Sequence, residues 1–450
     1  MKRKMVKLSA LLLVCAVIAS AAACGGAKTP GDETSGQTSS QATSANPPKE
    51  VNLTAWLTNA VTADEQKTSQ DNWYITKCID RFEKENPGTK VEFTIQTDGM
   101  QTLQAFKACA AAKNGPDIID FFAGPNFLSV KEALLPLNDY IPQEDKDALI
   151  GWEAVSEDMD PTKTIYAYPY PGQSVVGLAY NKELIKSVGL DYENNPPRSV
   201  EAFDKDLEKI KAAGLLPFNS DESQPIILYY LMDYWWSQNT GLTNILAKTN
   251  GDAKYAEDQG LLDMLAKYRS YYEKGYINKD AATSADSSNK FLQGKCVFYP
   301  FGNWDVDNFN KALGDNFGII CPPSATKEGE SKNGAIGGVG AALAVAGYSQ
   351  NPETAVKFIS HMMKKDELIE FYKKYPTVPH RKDITAEDMG KGNDEIFKKM
   401  LSWKDDISYW PDNCMSSEAG GVFQKFASQV LVGNITPKEL AQKMDEAQEQ

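Results

Sequence analysis

Length, composition and charge exclude several classes of protein. The chain has 450 residues, enough for more than one hydrophobic core, and its 42% hydrophobic and 10% aromatic content is typical of a folded protein. Its formal net charge of −14 repels phosphate backbones and anionic lipid, so we expect no nucleic-acid partner and no electrostatic adhesion to a membrane.

The first 23 residues have the pattern of a secretory signal. Basic residues at the start precede an apolar run over 8–23, which is shorter than the roughly 18 to 20 residues that span a bilayer. Small residues lead into Cys24, and this junction resembles the lipobox of bacterial lipoproteins, although Ala21 stands where that motif usually has Leu. The resemblance implies a signal peptide over 1–23 and a Cys24 that carries lipid, palmitate included. A plain secretory site, with Cys24 unmodified, is the alternative.

The segment 24–50 predicts a flexible linker. Beyond Ala it has no aliphatic side chain, and it is rich in Gly, Ser, Thr, Gln and Pro. Such a segment cannot bury enough apolar surface to offset the entropy that ordering would cost. Behind a lipidated Cys24, it would hold a folded body at the outer face of the cell membrane.

Strand and helix patterns alternate after residue 50. Apolar residues alternate with polar ones at 51–57 and 91–95, and a short apolar run ends at 122, which predicts three strands. Apolar residues recur at helical spacing over 75–82 and 103–110, between those strands. This order is typical of an α/β fold with a parallel sheet.

The alternation continues to the end of the chain. We predict strands at 175–180 and 296–299, helices over 200–210 and 261–272, and helix starts at Asn351 and Thr436. The body also has five cysteines without C-x-x-C spacing, so we predict no required disulfide framework and at least one free thiol. They are Cys78, Cys109, Cys296, Cys321 and Cys414.

Short motifs recur in a characteristic order along the body. They are Phe82–Gly88, Asn114–Ile119, Leu135–Ile141, Leu178–Leu184, Phe291–Lys295 and Gly433–Pro437. Their order and spacing resemble the extracellular solute-binding proteins of ABC importers, family 1, which is the carbohydrate or maltose-binding-like family. The resemblance implies an α/β, two-lobed fold of the periplasmic-binding-protein type, with a hinge and an interlobe cleft. By analogy, lobe 1 takes 51–170 and 295–362, and lobe 2 takes 171–294 and 363–450.

A sugar presents apolar C–H faces and a rim of hydroxyls, so its site needs flat rings and polar side chains. Asn303, Trp304 and Asp305 offer both directly after a predicted strand. In the family, the Trp of the corresponding segment stacks on the ligand, which implies this role for Trp304. The alternative is a half-buried core Trp, with Asp305 capping a helix.

Further candidates lie near predicted strand ends and at the predicted crossing between lobes. Gln173 falls at the crossing, where some relatives have a carboxylate, and a simple loop glutamine is the alternative. Asn59 and Asn126 follow predicted strands, where α/β sheets usually bind ligands. Phe121 and Phe122 alternate along one strand, so only one can face the cleft, and we select Phe121.

Three aromatic residues complete the candidate set. Tyr229 belongs to the densest aromatic stretch, 229–236, part of which must be lobe core. Within that stretch, Tyr230 is the alternative to Tyr229. Trp410 and Phe423 lie where relatives supply another aromatic wall.

The resemblance implies a monomeric binding lipoprotein that captures a sugar or oligosaccharide for an ABC permease, without enzyme activity, cofactor or metal. A protein that binds a peptide or polyamine is the first alternative, because fold does not fix the ligand. A secreted glycoside hydrolase is the second. No G-x-S-x-G or H-E-x-x-H motif is present, and of the two histidines we expect His361 on the surface of its helix.

Overall fold

One mixed sheet of eight strands organises the part of the chain that the computed structural model describes, residues 50–62, 64–96, 99–375, 377–392 and 394–449. The predicted signal peptide, Cys24 and nearly all of the linker lie outside the described residues. The strands are β1 Val51–Leu57, β2 Thr89–Ile95, β3 Ile118–Phe122, β4 Ala167–Asn181, β5 Phe298–Gly302, β6 Phe317–Ile320, β7 Ala335–Val345 and β8 Ile407–Tyr409.

Helices surround this sheet. The α-helices are α1 Tyr74–Glu85, α2 Gly99–Ala112, α3 Pro125–Leu128, α4 Gln143–Ala148, α5 Lys182–Ser187, α6 Val200–Ala212, α7 Asp233–Thr240, α8 Leu242–Thr249, α9 Gln259–Glu273, α10 Ser287–Leu292, α11 Val306–Leu313, α12 Pro352–Met362, α13 Lys365–Tyr372, α14 Glu395–Leu401, α15 Ser417–Leu431 and α16 Pro437–Gln448. A π-helix, Ile227–Met232, runs directly into α7. Among the described residues, no helix has the length and apolar character needed to cross a membrane.

The sequence patterns explain most of these elements. Helix α1 buries the face predicted from its spacing, from Ile75 to Phe82, and Phe82 packs edge-on against Phe358 of α12 at 5.0 Å between ring centroids. Helix α16 begins with the predicted capping box, in which Thr436 accepts a hydrogen bond from the Glu439 backbone N–H at 3.2 Å. The predicted strands and helices are confirmed, with β4 longer and β5 shifted toward the C-terminus.

The strand order β2-β1-β3-β7-β4-β5 combines parallel and antiparallel pairs. Strand β1 is parallel to β2 and β3, whereas β7 is antiparallel to both β3 and β4. The first half of β4 pairs with β7, and β6 then replaces β7 along the same strand while β5 pairs on its other side. The long strand β4 therefore connects the part of the sheet that contains β7 to the part that contains β5 and β6. The predicted α/β two-lobed fold is confirmed.

Two segments pack differently from the lobe boundaries suggested by analogy. Phe298 of β5 stacks on Tyr192 at 5.6 Å, so this strand packs with residues assigned to lobe 2, although 295–362 was expected in lobe 1. Tyr74 of α1 packs against Phe371 of α13 at 5.3 Å, which joins part of 363–450 to lobe 1. The boundaries themselves stay a prediction.

The expectation for His361 is wrong, because the side chain is only 4% exposed and lies between α1 and α13. It belongs to the one cluster of potential metal ligands found among the described residues, together with Cys78 and Glu367. The Arg81 guanidinium already binds Glu367 there, with Nε 2.6 Å from Oε1, so the cluster carries its own cation. The five body cysteines are all free thiols.

Candidate ligand-binding site

A cavity of about 590 Å³ lies beside the register shift between the paired strands β4 and β7, and its size is within the range of small-molecule sites. It is lined by Asn59, Phe122, Pro171, Gly172, Ser174, Tyr229, Tyr230, Asn303, Trp304, Gly340, Ala341, Tyr375, Thr377, Trp410, Asp412 and Asn413. Five of the ten candidates predicted from the sequence are in this set: Asn59, Tyr229, Asn303, Trp304 and Trp410.

Trp304 presents its indole ring to the cavity and is 43% exposed. A Cβ at Gly302 would overlap this ring, so the glycine lets the indole lie close over the backbone. Tyr230 supports the ring edge-on, with 6.0 Å between centroids. An exposed, supported ring is not the half-buried core Trp of the alternative interpretation.

Phe122, rather than Phe121, faces the cavity. Phe121 is 1% exposed and packs between Phe106 and Phe127, whereas Phe122 is 46% exposed. Strand alternation allows only one of the two to face the cleft, and the structure corrects the choice that was made between them. Phe122 and Trp304 are the exposed large hydrophobic side chains of the described residues.

Asn59 is held in place by a buried carboxyl group. Asp120 is fully buried, and it accepts hydrogen bonds from the Asn59 backbone N–H at 2.7 Å and side-chain amide at 3.1 Å. Burial raises the pKa of Asp120 to about 6, and these bonds oppose the rise. Asp120 therefore positions Asn59 at the cavity wall.

The crossing strand places Gln173 away from the cavity. Its neighbours Gly172 and Ser174 line the cavity, but Gln173 does not, because side chains alternate along β4. Gln173 is 5% exposed and its backbone N–H donates to Val378 at 2.7 Å. Asn303 lines the cavity instead, and its side-chain oxygen accepts a hydrogen bond from the Val175 N–H at 2.9 Å.

Asp305 has a structural position behind Trp304. Its carboxylate accepts the Gly302 backbone N–H at 3.1 Å, and the side chain does not line the cavity. Burial raises the pKa of Asp305 to about 6. The structure thus separates two candidates that are adjacent in sequence, with Trp304 at the cavity and Asp305 supporting its turn.

The π-helix brings Tyr229 and Tyr230 to the cavity side by side. Tyr230 contacts Trp410 edge-on at 5.8 Å, and Tyr229 packs on Phe423 at 6.0 Å. Phe423 is 1% exposed, so it supports Tyr229 from behind and does not reach the cavity. Candidate Asn126 belongs to α3, and its side chain lies outside the described part of the structure.

Several lining residues were not predicted. Asp412 and Asn413 follow Trp410 after a single proline, a combination of ring and polar side chains that resembles 303–305 and could have been recognised. Tyr375 and Thr377 come from a loop without periodicity, and no sequence signal marks them. Asp412 matters most, because it is the one lining residue, among those described, with a formally charged side chain.

Comparison with known proteins identifies the family. A family model described as "Bacterial extracellular solute-binding protein" matches residues 77–413. The chain belongs to this family. The predicted membership of the extracellular solute-binding proteins is thereby confirmed. The members of this family and its structural neighbours are binding proteins.

Individual relatives of this solute-binding protein are distant. The sn-glycerol-3-phosphate-binding periplasmic protein UgpB of Escherichia coli K12 is 24% identical over 352 residues, which cover 73% of this chain and 77% of UgpB. A chitin oligosaccharide binding protein superposes with a TM-score of 0.71 at 22% identity, covering 89% of this chain and 98% of its own. The GacH receptor of Streptomyces glaucescens, solved unliganded and with acarbose, gives 0.65 at 20%, covering 88% and 97%.

Proposed function

We propose that this solute-binding protein captures a sugar or oligosaccharide in the cavity beside β4 and β7 and delivers it to the permease of an ABC importer. The observation that carries the proposal is the pair of exposed rings, Phe122 and Trp304, on one cavity. Exposed apolar surface that is rimmed by polar side chains is typical of a ligand-binding groove. The structural neighbours named for chitin oligosaccharide and acarbose support the same ligand class.

The chemistry of the cavity fits a neutral ligand with many hydroxyls. Flat rings cover apolar C–H faces, while amide and hydroxyl side chains such as Asn59, Asn303 and Thr377 donate to and accept from hydroxyls. Neutral partners of this kind cost little to desolvate compared with charged ones. A sugar would therefore find both of its surfaces matched.

The other ligand classes fit less well. The relative UgpB is named for sn-glycerol 3-phosphate, but none of the lining residues described is Lys or Arg, the side chains that usually bind phosphate. A polyamine would need several carboxylates, and Asp412 is a single one. A peptide remains the alternative that the ligand screen must exclude, and glycoside cleavage is tested in the same screen.

We further propose that the protein is a monomer attached to the outer face of the cell membrane through lipidated Cys24. The support is the sequence pattern of 1–50 together with the extracellular family. Cys24→Ser should abolish incorporation of a labelled palmitate analogue and release the protein into the medium. Continued labelling of this variant would place the lipid elsewhere.

The ligand class is tested by thermal melting of the purified protein with sugars, oligosaccharides, peptides, polyamines and sn-glycerol 3-phosphate. A ligand that binds only the folded state raises the melting midpoint. We expect stabilisation by a neutral sugar or oligosaccharide. Stabilisation by peptides or amines alone, or cleavage of a glycoside, would refute the proposal.

Two neighbouring phenylalanines provide a matched pair of variants. Phe122→Ala should reduce sugar affinity by roughly tenfold or more and leave stability nearly unchanged, because the ring is exposed. Phe121→Ala should lower the free energy of unfolding by about 3 kcal/mol, because its ring is in the core. Equal sugar affinity of Phe122→Ala and the wild type would show that this ring does not contact the ligand.

A further inference from the structure

Two carboxyl groups, one lining the cavity and one buried near it, have buried oxygens without a hydrogen-bond partner among the described residues. Asp412 lines the cavity, and its Oδ1 accepts no hydrogen bond from the described residues. Asp233, at the start of α7, is fully buried, and both of its oxygens lack partners within the same part of the chain. Buried polar groups are normally satisfied, so atoms left free beside a ligand cavity indicate a function.

The two carboxyl groups affect each other and the cavity wall. Burial raises the pKa of Asp233 far above its ordinary value, and the charge of Asp412 raises it further. Burial raises the pKa of Tyr229 as well, with contributions from both carboxyl groups. No cation offsets them, since the described lining has no Lys, Arg or His. Burial therefore disfavours the charged form of Asp233, and Asp412 is the formally charged side chain of the described lining.

We propose that Asp412 determines the charge preference of the cavity. Its carboxylate lines the cavity, where its negative charge favours ligand hydroxyl or ammonium groups and excludes sugars that carry a carboxylate or phosphate. The inference rests on the proposed function, because it concerns the ligand of the same cavity.

The physical basis is that a carboxylate attracts a hydrogen-bond donor of the ligand and repels an anionic group of the ligand. A hydrogen bond to a carboxylate is stronger than one between neutral groups, especially where bound ligand displaces water. An anionic ligand group near Asp412 would meet a like charge, and no lining cation would compensate it.

The test compares three versions of one sugar that binds the wild type: the neutral form, its uronate and its amino analogue. Calorimetric titration at pH 7 should show the amino form binding at least as tightly as the neutral form, and the uronate at least roughly tenfold more weakly. Asp412→Asn should reduce this ratio of neutral to uronate affinity to near one. Equal affinity of the wild type for neutral and anionic forms, or an unchanged ratio in Asp412→Asn, would overturn the proposal.

Asp305→Asn is the matched control, because it removes a nearby acid that does not line the cavity. It should keep the wild-type charge ratio, and a collapse of the ratio in this variant would assign the effect to general charge instead of Asp412. The two proposals fail in different ways. If no sugar of any charge binds, the proposed function fails, whereas sugar binding with a charge ratio independent of Asp412 refutes only this inference.

Discussion

Two Trp–Asp segments border the same cavity and use their side chains in opposite ways. In 303–305, Trp304 is exposed to the cavity while Asp305 bonds to the backbone of its own turn. In 410–413, Trp410 is 7% exposed and packs on Tyr230, while Asp412 lines the cavity and its buried Oδ1 has no partner among the described residues. One segment offers its ring to a ligand, and the other offers its carboxylate.

Residue type alone does not determine the role of a side chain in this binding site. Burial decides whether a ring is a platform or a support, and the available backbone donors decide whether a carboxylate is structural or free. Gly302 supplies such a donor to Asp305, and no described donor reaches Oδ1 of Asp412. Each assignment can be tested by removing one side chain at a time.

The largest effect is expected at Trp410. Trp410→Ala should lower the free energy of unfolding by about 3 kcal/mol, because a nearly buried ring is replaced by a cavity. Urea denaturation followed by circular dichroism measures this loss. Unchanged stability would show that Trp410 is a ligand platform like Trp304, and the contrast between the segments would disappear.

Trp304→Ala should have the opposite profile. The exposed ring contributes little to folding, so we expect stability to change by less than about 1 kcal/mol. Sugar affinity should fall by about 2 kcal/mol, which is about thirtyfold in Kd. Titration calorimetry measures the affinity and thermal melting measures the stability. An unfolded variant would show that Trp304 is a core residue instead of a ligand contact.

Asp412 should reduce stability at neutral pH. Burial raises the pKa of Asp412 from 3.8 to about 6, so between these values the folded state holds a proton that the unfolded state has lost. Stability attributable to this group therefore falls as pH rises through that window. Asp412→Asn should unfold with a free energy up to about 3 kcal/mol higher than wild type at pH 7, and most of the gain should vanish near pH 4. A gain independent of pH would show that titration of Asp412 is not its cause.

The smallest effect is expected at Asp305. Asp305→Ala should cost about 1 kcal/mol of stability, since the Gly302 N–H loses its acceptor. Asp305→Asn should be at least as stable as the wild type at pH 7, because an amide oxygen can accept the same bond and burial disfavours the charged form of Asp305. Chemical denaturation of the three proteins at pH 7 gives both differences, and equal losses in the two variants would assign the effect to charge.

Much of the fold was predictable, because periodicity reports burial. The apolar spacing of α1 and the capping box of α16 were sufficient to locate those helices. The pairing of β4 with β7 was not, since it joins distant segments that have no local signal.

The site was predictable only where a motif placed rings and polar groups next to each other. Trp304 and Asn303 were found in this way, and Asp412 could have been. The choice of Phe121 over Phe122 failed because alternation gives two opposite faces without saying which one packs on helices. Tyr375 reaches the cavity through tertiary folding alone.

The pairing of β3 with β7 has a consequence for how the chain is made. Strand β3 ends at Phe122, and its antiparallel partner begins only at Ala335, so the central sheet lacks its middle strand until most of the polypeptide has emerged from the ribosome. Pairing over so long a separation is slow. For a member of an extracellular family, late completion of the sheet would keep the nascent chain unfolded and able to pass through an export channel. The native state would then form after export.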